Sequence, residues 1–249
     1  MKHIVAIGGG EIGRPGYLVE TTHIDTQIIA LTGKTKPNVL FLPTASKDSP
    51  TYFDVFKEHY GRRLGCHVSV LNLYSKPSKD TITKLIKGAD IIYVGGGNTL
   101  SMMSLWRRMG ADKLLVEAYE DGTILCGLSA GAICWFNTGL SDSRSFTSGG
   151  KVWDYINVRG LNLKPLMVCP HYDSKPKRRP ALRNSLKGTS QIAIAIDNCA
   201  ALEIKDDTFR ILTCKPGAKV YKTYWHHNKY IVEEILPTDE YLSLEKLGC

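Results

Sequence analysis

Residues 127–132, Gly-Leu-Ser-Ala-Gly-Ala, decide how this chain folds. The run before them, 122–126, is typical of a buried strand, and the run after them, 133–136, is typical of the first turns of a buried helix. Small neighbours let the backbone turn sharply and leave the Ser129 hydroxyl exposed, which is the pattern of a nucleophile elbow. The amide dipoles of the helix would favour an anion that develops beside Ser129. A tight turn that merely carries a serine is the alternative interpretation.

Length and composition favour one globular α/β domain over residues 1–249, since 43% of the residues are hydrophobic, 22% are charged, and no linker or repeat interrupts the chain. The apolar runs are too short to cross a membrane. Residues 1–8 hold too short an apolar run for a signal peptide, and we expect them to form a buried strand. The seven cysteines are scattered without a C-x-x-C pair, which favours reduced thiols in a cytoplasmic protein.

The formal net charge of +8 raises the question of an acidic partner. The densest basic cluster consists of Lys175, Lys177, Arg178, Arg179 and Arg183. Because no aromatic residues interleave with it and no known binding module accompanies it, we do not expect nucleic-acid binding. A site for a small acidic substrate and a solvated basic loop both remain open.

Apolar runs alternate with helix-like spacing through the first half of the chain. The predicted strands are 3–8, 39–43, 68–73, 91–94 and 123–126, and the predicted helices are 22–31, 52–64, 81–87, 100–108 and 111–121. This βαβ alternation predicts a mainly parallel sheet with helices on both faces.

Later segments follow a different pattern. Residues 138–165 lack clear periodicity and are expected to form a long loop, and strands at 167–169 and 192–196 flank a helix at 181–186. From residue 200 onward, four short strands predict a C-terminal antiparallel β appendage on the main sheet.

A second motif, residues 93–99 (Tyr-Val-Gly-Gly-Gly-Asn-Thr), ends the strand that precedes the elbow strand. Ligands bind outside the carboxyl ends of parallel strands, and free N–H groups of the glycines could bind a phosphate or an oxyanion. The glycines lack the G-x-G-x-x-G spacing, which residues 8–13 match only loosely, so we expect no dinucleotide cofactor. A plain tight turn is the other interpretation.

A third motif, residues 168–173 (Val-Cys-Pro-His-Tyr-Asp), places His171 just after a short apolar run. A histidine at a strand's carboxyl end can reach a serine on a neighbouring strand end and serve as general base and then general acid. The alternative is a surface histidine in a loop.

In this order the three motifs resemble the peptidase E family of serine peptidases, which includes cyanophycinase-like enzymes. The likeness extends from the first strand to about residue 204, and it implies the fold of class I glutamine amidotransferases. That fold has a cysteine nucleophile in the amidotransferases, so a serine here favours the peptidase branch. The resemblance implies that Ser129 is the nucleophile and His171 its base. It also implies an oxyanion hole made by the N–H groups of Ala130 and of Gly96 or Gly97.

The third member of the triad departs from the family, which often has a glutamate where this chain has Asn198. An asparagine can hold an imidazole through its carbonyl oxygen but cannot stabilise an imidazolium by charge. Asp197 and Asp173 are alternatives, and Asp142 in the loop after the elbow is another acidic candidate.

The resemblance also implies a preference for dipeptides with an N-terminal aspartate, whose side chain needs a cation. Arg178 lies where the family has an arginine that contacts substrate, with Arg179 and Arg183 as close alternatives. Asn98, at the end of the glycine motif, is also expected to bind substrate. A solvated basic turn remains the other interpretation of the arginines.

We therefore expect a cytoplasmic serine hydrolase that needs no metal and no cofactor. Its expected partner is a small peptide substrate, with no nucleic acid and no membrane, and the chain could form a homodimer. Two other interpretations stay open. One is a non-catalytic binding or regulatory protein on the same fold, favoured by Asn198, and the other is an amidohydrolase or esterase with another acyl substrate.

Overall fold

The computed structural model describes residues 1–146, 154–174 and 177–248 of the chain. Its strands are β1 (His3–Ile7), β2 (Asn38–Leu42), β3 (His67–Val70), β4 (Ile91–Val94), β5 (Ile124–Leu128), β6 (Phe136–Ser141), β7 (Ile156–Arg159), β8 (Lys164–Cys169), β9 (Ala193–Ile196), β10 (Ala200–Lys205), β11 (Thr208–Thr213), β12 (Val220–His226), β13 (Lys229–Ile235) and β14 (Leu242–Ser243).

The helices are α1 (Thr22–Ala30), α2 (Pro50–Phe56), α3 (Lys79–Lys87), α4 (Thr99–Met109), α5 (Ala111–Glu120), α6 (Ala130–Ile133) and α7 (Arg178–Leu186). A π-helical segment, Lys57–Arg63, continues α2 directly, so the predicted helix at 52–64 is one long element with a change of hydrogen-bond pattern. Within the described ranges, no helix has the length and apolar character needed to traverse a bilayer.

The first sheet has eight strands in the order β14-β11-β10-β1-β5-β4-β2-β3. The five strands from β1 to β3 in this order are parallel, as predicted, whereas β10, β11 and β14 run antiparallel. Side chains of β1 alternate between two cores, since Ile4 and Ala6 pack on one face and Val5 and Ile7 on the other. A strand buried on both faces must be apolar throughout, which explains the unbroken apolar run.

The second sheet has six strands in the order β13-β12-β9-β8-β6-β7 and was not predicted as a separate sheet. The expected long loop at 138–165 is wrong where it is described, because it contains the end of β6, all of β7 and the start of β8. β6 has a polar composition (Phe-Asn-Thr-Gly-Leu-Ser), and β7 at the sheet edge has only one buried residue among its four, which explains why no apolar alternation marked them.

The C-terminal strands do not form an appendage. β10 lies beside β1, with His3 opposite Lys205, and β11 and β14 extend the same sheet. β12 and β13 instead extend the second sheet, where β12 pairs with β9. The architecture is therefore mixed α/β with two sheets rather than one mainly parallel sheet with an addition.

Candidate active site

Ser129 joins β5 to α6 with φ 59° and ψ −105°, a backbone conformation that non-glycine residues rarely adopt. Such outliers typically cost about 1–3 kcal/mol and cluster at functional sites. The turn packs closely against the neighbouring strand, since a Cβ on Gly131 would overlap the carbonyl oxygen of Val94. The helix that follows has only four residues, so it lacks the dipole of a longer helix that was predicted to favour an anion. Individual N–H groups must stabilise that anion instead.

The end of β1 holds Ser129 and His171 together. The N–H of Ser129 donates to the Ile7 carbonyl oxygen at 3.1 Å, and the N–H of His171 donates to the next carbonyl oxygen, that of Gly8, at 3.0 Å. Ser129 follows a strand of the first sheet, and His171 follows β8 of the second sheet. Two successive carbonyl groups therefore bring residues from both sheets to one point.

The His171 ring is held by Asn198, whose Oδ1 lies 2.7 Å from Nδ1. An amide oxygen can only accept a hydrogen bond, so this pairing puts the ring hydrogen on Nδ1 and leaves Nε2 as a base. Asn198 lies at the crossover from β9 to β10, and its own N–H donates to Asp173 Oδ1 at 2.9 Å. Asp173 thus contacts the backbone of Asn198.

Asp197, the other alternative, is buried and turns to a different partner. Its Oδ2 accepts the N–H of Lys219 at 3.1 Å. Burial, with the nearby charge of Asp173, raises the pKa of Asp197 to about 6. Of Asn198 and its alternatives Asp197 and Asp173, Asn198 is the one whose side chain the structure brings to the imidazole. Asp142, the further acidic candidate, pairs with Arg178.

Gly9 makes room for this pair. A Cβ at this position would overlap Asn198 Oδ1 and lie 2.5 Å from His171 Nδ1. The Gly9 carbonyl also accepts the N–H of Cys199 at 2.9 Å, which fixes the loop that carries Asn198. Sequence reasoning missed this role, although glycines directly after a buried strand were a usable signal of a close approach.

Ser129 and His171 line a cavity of about 880 Å³. Gly96 and Gly97 lie on the same wall, and residues 10–17 and 49–55 supply much of the rest. A cavity of this volume has room for a small molecule or a short peptide.

The N–H groups near Ser129 differ in availability. Among the described residues, neither the Ala130 N–H nor the Gly97 N–H has a hydrogen-bond acceptor. The Gly96 N–H donates to the Tyr52 hydroxyl at 3.1 Å. Of the two glycines considered for the oxyanion hole, Gly97 is therefore the one with an open donor.

Arg178 does not line this cavity, which corrects the expected direct contact with substrate. It is 1% exposed, and its Nη2 donates to Asp142 Oδ2 at 3.2 Å. The guanidinium also lies over the Tyr155 ring, 5.0 Å from its centroid. Arg178 instead binds Asp142, a residue that does line the cavity.

The alternative arginines also lie elsewhere. Arg179 donates to the Tyr172 carbonyl oxygen at 3.2 Å, and Arg183 lies over the Trp225 ring. Neither is among the described residues that line the cavity, and Lys175 of the same basic cluster lies outside the described ranges.

Asn98 is a helix cap and is not among the described residues that line the cavity, so its expected role in substrate binding stays a prediction. Its Oδ1 accepts the N–H of Ser101 in the first turn of α4 at 3.0 Å, and its Nδ2 donates to the Ser143 carbonyl oxygen at 3.1 Å. Both ends of the amide thus hold the protein together.

Several polar residues of the cavity wall were not predicted as site residues, among them Glu11, Arg14 and Tyr52. Arg14 Nε donates to Glu11 Oε2 at 2.6 Å, and these two residues lie in the loop after β1. Their position at the carboxyl end of a parallel strand was a signal. Tyr52 gave none, because it fell within a predicted helix whose aromatic residues are expected to pack in the core.

Comparisons with known proteins identify the family of this chain. The sequence model of peptidase family S51 matches residues 4–212. The uncharacterised peptidase YgaJ of Bacillus subtilis (strain 168) is 36% identical over 226 residues, which cover 89% of this chain and 92% of that protein. Peptidase E of Escherichia coli (strain HS) is 32% identical over 87 residues, or 35% of this chain and 36% of that one.

Two solved structures have a similar fold. A peptidase from an acI-B1 Actinobacterium superposes with a TM-score of 0.71 at 20% identity, covering 98% of this chain and 97% of the other. A peptidase E protein from Listeria monocytogenes EGD-e superposes with a TM-score of 0.63 at 24% identity, covering 86% and 98%. The family match extends over most of the chain and confirms the resemblance drawn from the three motifs, so this protein belongs to peptidase family S51.

Proposed function

We propose that this chain is a serine-type peptidase that cleaves short peptides through an acyl-enzyme on Ser129. The observation that carries the proposal is the shared cavity wall of Ser129, in its strained turn, and His171, whose Nδ1 is bound by Asn198 at 2.7 Å. A nucleophile, a base and a residue that orients the base are the parts that nucleophilic acyl transfer requires.

In the proposed reaction, Ser129 Oγ attacks the scissile carbonyl carbon while His171 Nε2 takes the hydroxyl proton. The N–H groups of Ala130 and Gly97 stabilise the oxyanion that forms. His171 then returns the proton to the leaving amine, and the acyl-enzyme is hydrolysed by a water that His171 activates. Asn198 keeps the His171 ring in the tautomer with its hydrogen on Nδ1, which these proton transfers require. It adds no charge to stabilise the imidazolium.

A covalent serine probe tests this proposal directly. A fluorophosphonate should label the purified protein, and peptide mapping should find the adduct on Ser129. Hydrolysis of a dipeptide such as Asp-Leu should be followed in the same preparation. Failure to label at any pH, together with no turnover, would instead favour the non-catalytic binding protein, and labelling with turnover of esters alone would favour an esterase.

We further propose that the enzyme prefers an N-terminal aspartate, as the peptidase E resemblance implies, and that Arg14 binds its side chain. Arg14 is the one arginine among the described residues that line the cavity. Its Nε is anchored by Glu11, and its Nη groups have no hydrogen-bond partner in the described part of the chain. A guanidinium fixed at Nε with open Nη groups is suited to a carboxylate.

Arg14→Gln should reduce kcat/KM for Asp-Leu by at least tenfold, since charge-assisted hydrogen bonds typically contribute about 1.5–3 kcal/mol. Turnover of Ala-Leu should change less than threefold, because that substrate carries no side-chain carboxylate. Arg183→Gln is the matched control, because Arg183 is exposed on α7 and lies outside the cavity lining. Equal losses on both dipeptides would show that Arg14 only supports the loop.

A further inference from the structure

The Tyr52 hydroxyl occupies an unusual place beside the proposed nucleophile. It belongs to α2 and accepts the N–H of Gly96 at 3.1 Å. Gly96 itself is close to Ser129, because a Cβ built on Gly96 would lie 3.4 Å from the Ser129 Cβ. All three residues line the same cavity. The phenol therefore lies between the cavity and an N–H group on the strand end next to the elbow.

The Tyr52 ring is held firmly. It packs edge-on against Phe41, with 5.1 Å between the centroids and 73° between the planes. On another side, a Cβ on Gly95 would come within 2.8 Å of the ring, so the glycine allows the ring to sit against the backbone. A hydroxyl carried on such a ring is preorganised, and its placement needs no rearrangement during a reaction.

The same hydroxyl still has a hydrogen to donate. A phenol that accepts one hydrogen bond can donate another, and among the described residues the Tyr52 Oη has no acceptor. Burial raises the pKa of Tyr52, so the hydroxyl keeps its proton at neutral pH. Acceptance of the Gly96 N–H also polarises the O–H bond and makes it a stronger donor.

We propose that Tyr52 is an oxyanion-hole residue, which donates its hydroxyl hydrogen to the tetrahedral oxyanion and takes the place of the Gly96 N–H. This inference rests on the proposed serine-peptidase function. Ala130 and Gly97 supply the backbone donors, Tyr52 supplies a side-chain donor, and Gly96 acts through Tyr52. The opposite possibility is that the hydroxyl competes for the Gly96 N–H and so weakens the hole.

Tyr52→Phe separates these cases, because phenylalanine keeps the ring packing and removes only the hydroxyl. We expect kcat for Asp-Leu to fall by about 10²–10³, as for the loss of other oxyanion donors, with KM changed less than threefold. The affinity of a peptide boronate, which forms a tetrahedral adduct with the serine, should fall by a similar factor. The affinity of the dipeptide, measured in a Ser129→Ala background with and without Tyr52→Phe, should stay the same.

Tyr93→Phe is the matched control, since Tyr93 lies in the same aromatic cluster and its buried hydroxyl has no partner among the described residues. This variant should retain wild-type kcat and boronate affinity. Unchanged or increased kcat in Tyr52→Phe would overturn the assignment while leaving the peptidase proposal intact. A wild-type protein that neither reacts with fluorophosphonate nor cleaves peptides would overturn both.

Discussion

Replacement of Ser129 by alanine should reduce peptide hydrolysis by at least about 10⁴-fold, because removal of the nucleophile disables the whole catalytic unit. Alanine fits the turn and leaves the neighbouring side chains in place, so the folded state should persist. The rate is measured by release of the product amine, and the fold by urea denaturation. Residual activity within tenfold of wild type would mean that another residue is the nucleophile.

A second variant at this position uses the backbone strain as an independent readout. With φ at 59°, both serine and alanine are strained, whereas glycine adopts this conformation readily. Ser129→Gly should therefore be as inactive as Ser129→Ala but more stable by about 1 kcal/mol, after the greater flexibility of glycine in the unfolded chain is allowed for. Equal stability of the two variants would argue that the turn relaxes without cost.

Gly9→Ala should reduce kcat/KM by at least about 100-fold, although Gly9 contacts no substrate in the proposed mechanism. The added methyl group would overlap Asn198 Oδ1 and approach His171 Nδ1, so one of the two side chains must move. Displacement of a catalytic group by about 1 Å can cost this much in rate. The φ of Gly9 lies outside the positive range, so the effect is steric and involves no backbone strain.

Gly61→Ala provides the control, because a Cβ there would meet its nearest neighbour, a Val68 methyl group, at an ordinary 3.5 Å. Turnover of Asp-Leu and circular dichroism should be measured for both variants. We expect Gly61→Ala to behave like wild type. A fully active Gly9→Ala would show that the His171–Asn198 contact is unnecessary for the reaction.

The sequence predicted best where burial on both sides forces an apolar run. β4 has the predicted bounds, 91–94, because its four residues are all buried. The three motifs at strand ends do line one cavity. The first two follow β5 and β4, which are neighbouring parallel strands with adjacent carboxyl ends, whereas His171 comes from the second sheet and is held by the Gly8 carbonyl oxygen. The likeness to class I glutamine amidotransferases and the role of each site residue stay predictions.

What the sequence did not predict depends on contacts between distant segments. The basic cluster at 175–183 suggested exposed charge, yet Arg178 is buried. Its guanidinium donates to Asp142, 36 residues earlier, and packs over the Tyr155 ring. β7 was missed because only one of its four residues, Val158, is buried. Local hydrophobic periodicity predicts neither the partner of a buried charge nor the pairing of a polar edge strand.

The two carbonyl groups at the end of β1 affect how the protein loses activity and how a ligand would stabilise it. The N–H of Ser129 is bound to one of these carbonyl groups and the N–H of His171 to the next. A slight separation of the two sheets would therefore move Ser129 away from His171 before either sheet unfolds. The rate of catalysis would thus detect a separation of the two sheets more sensitively than a spectroscopic measurement of helix or strand content. Conversely, a ligand that contacts both residues would hold the two sheets together and stabilise the folded state, and the gain in the free energy of unfolding would rise with the logarithm of the ratio of ligand concentration to Kd.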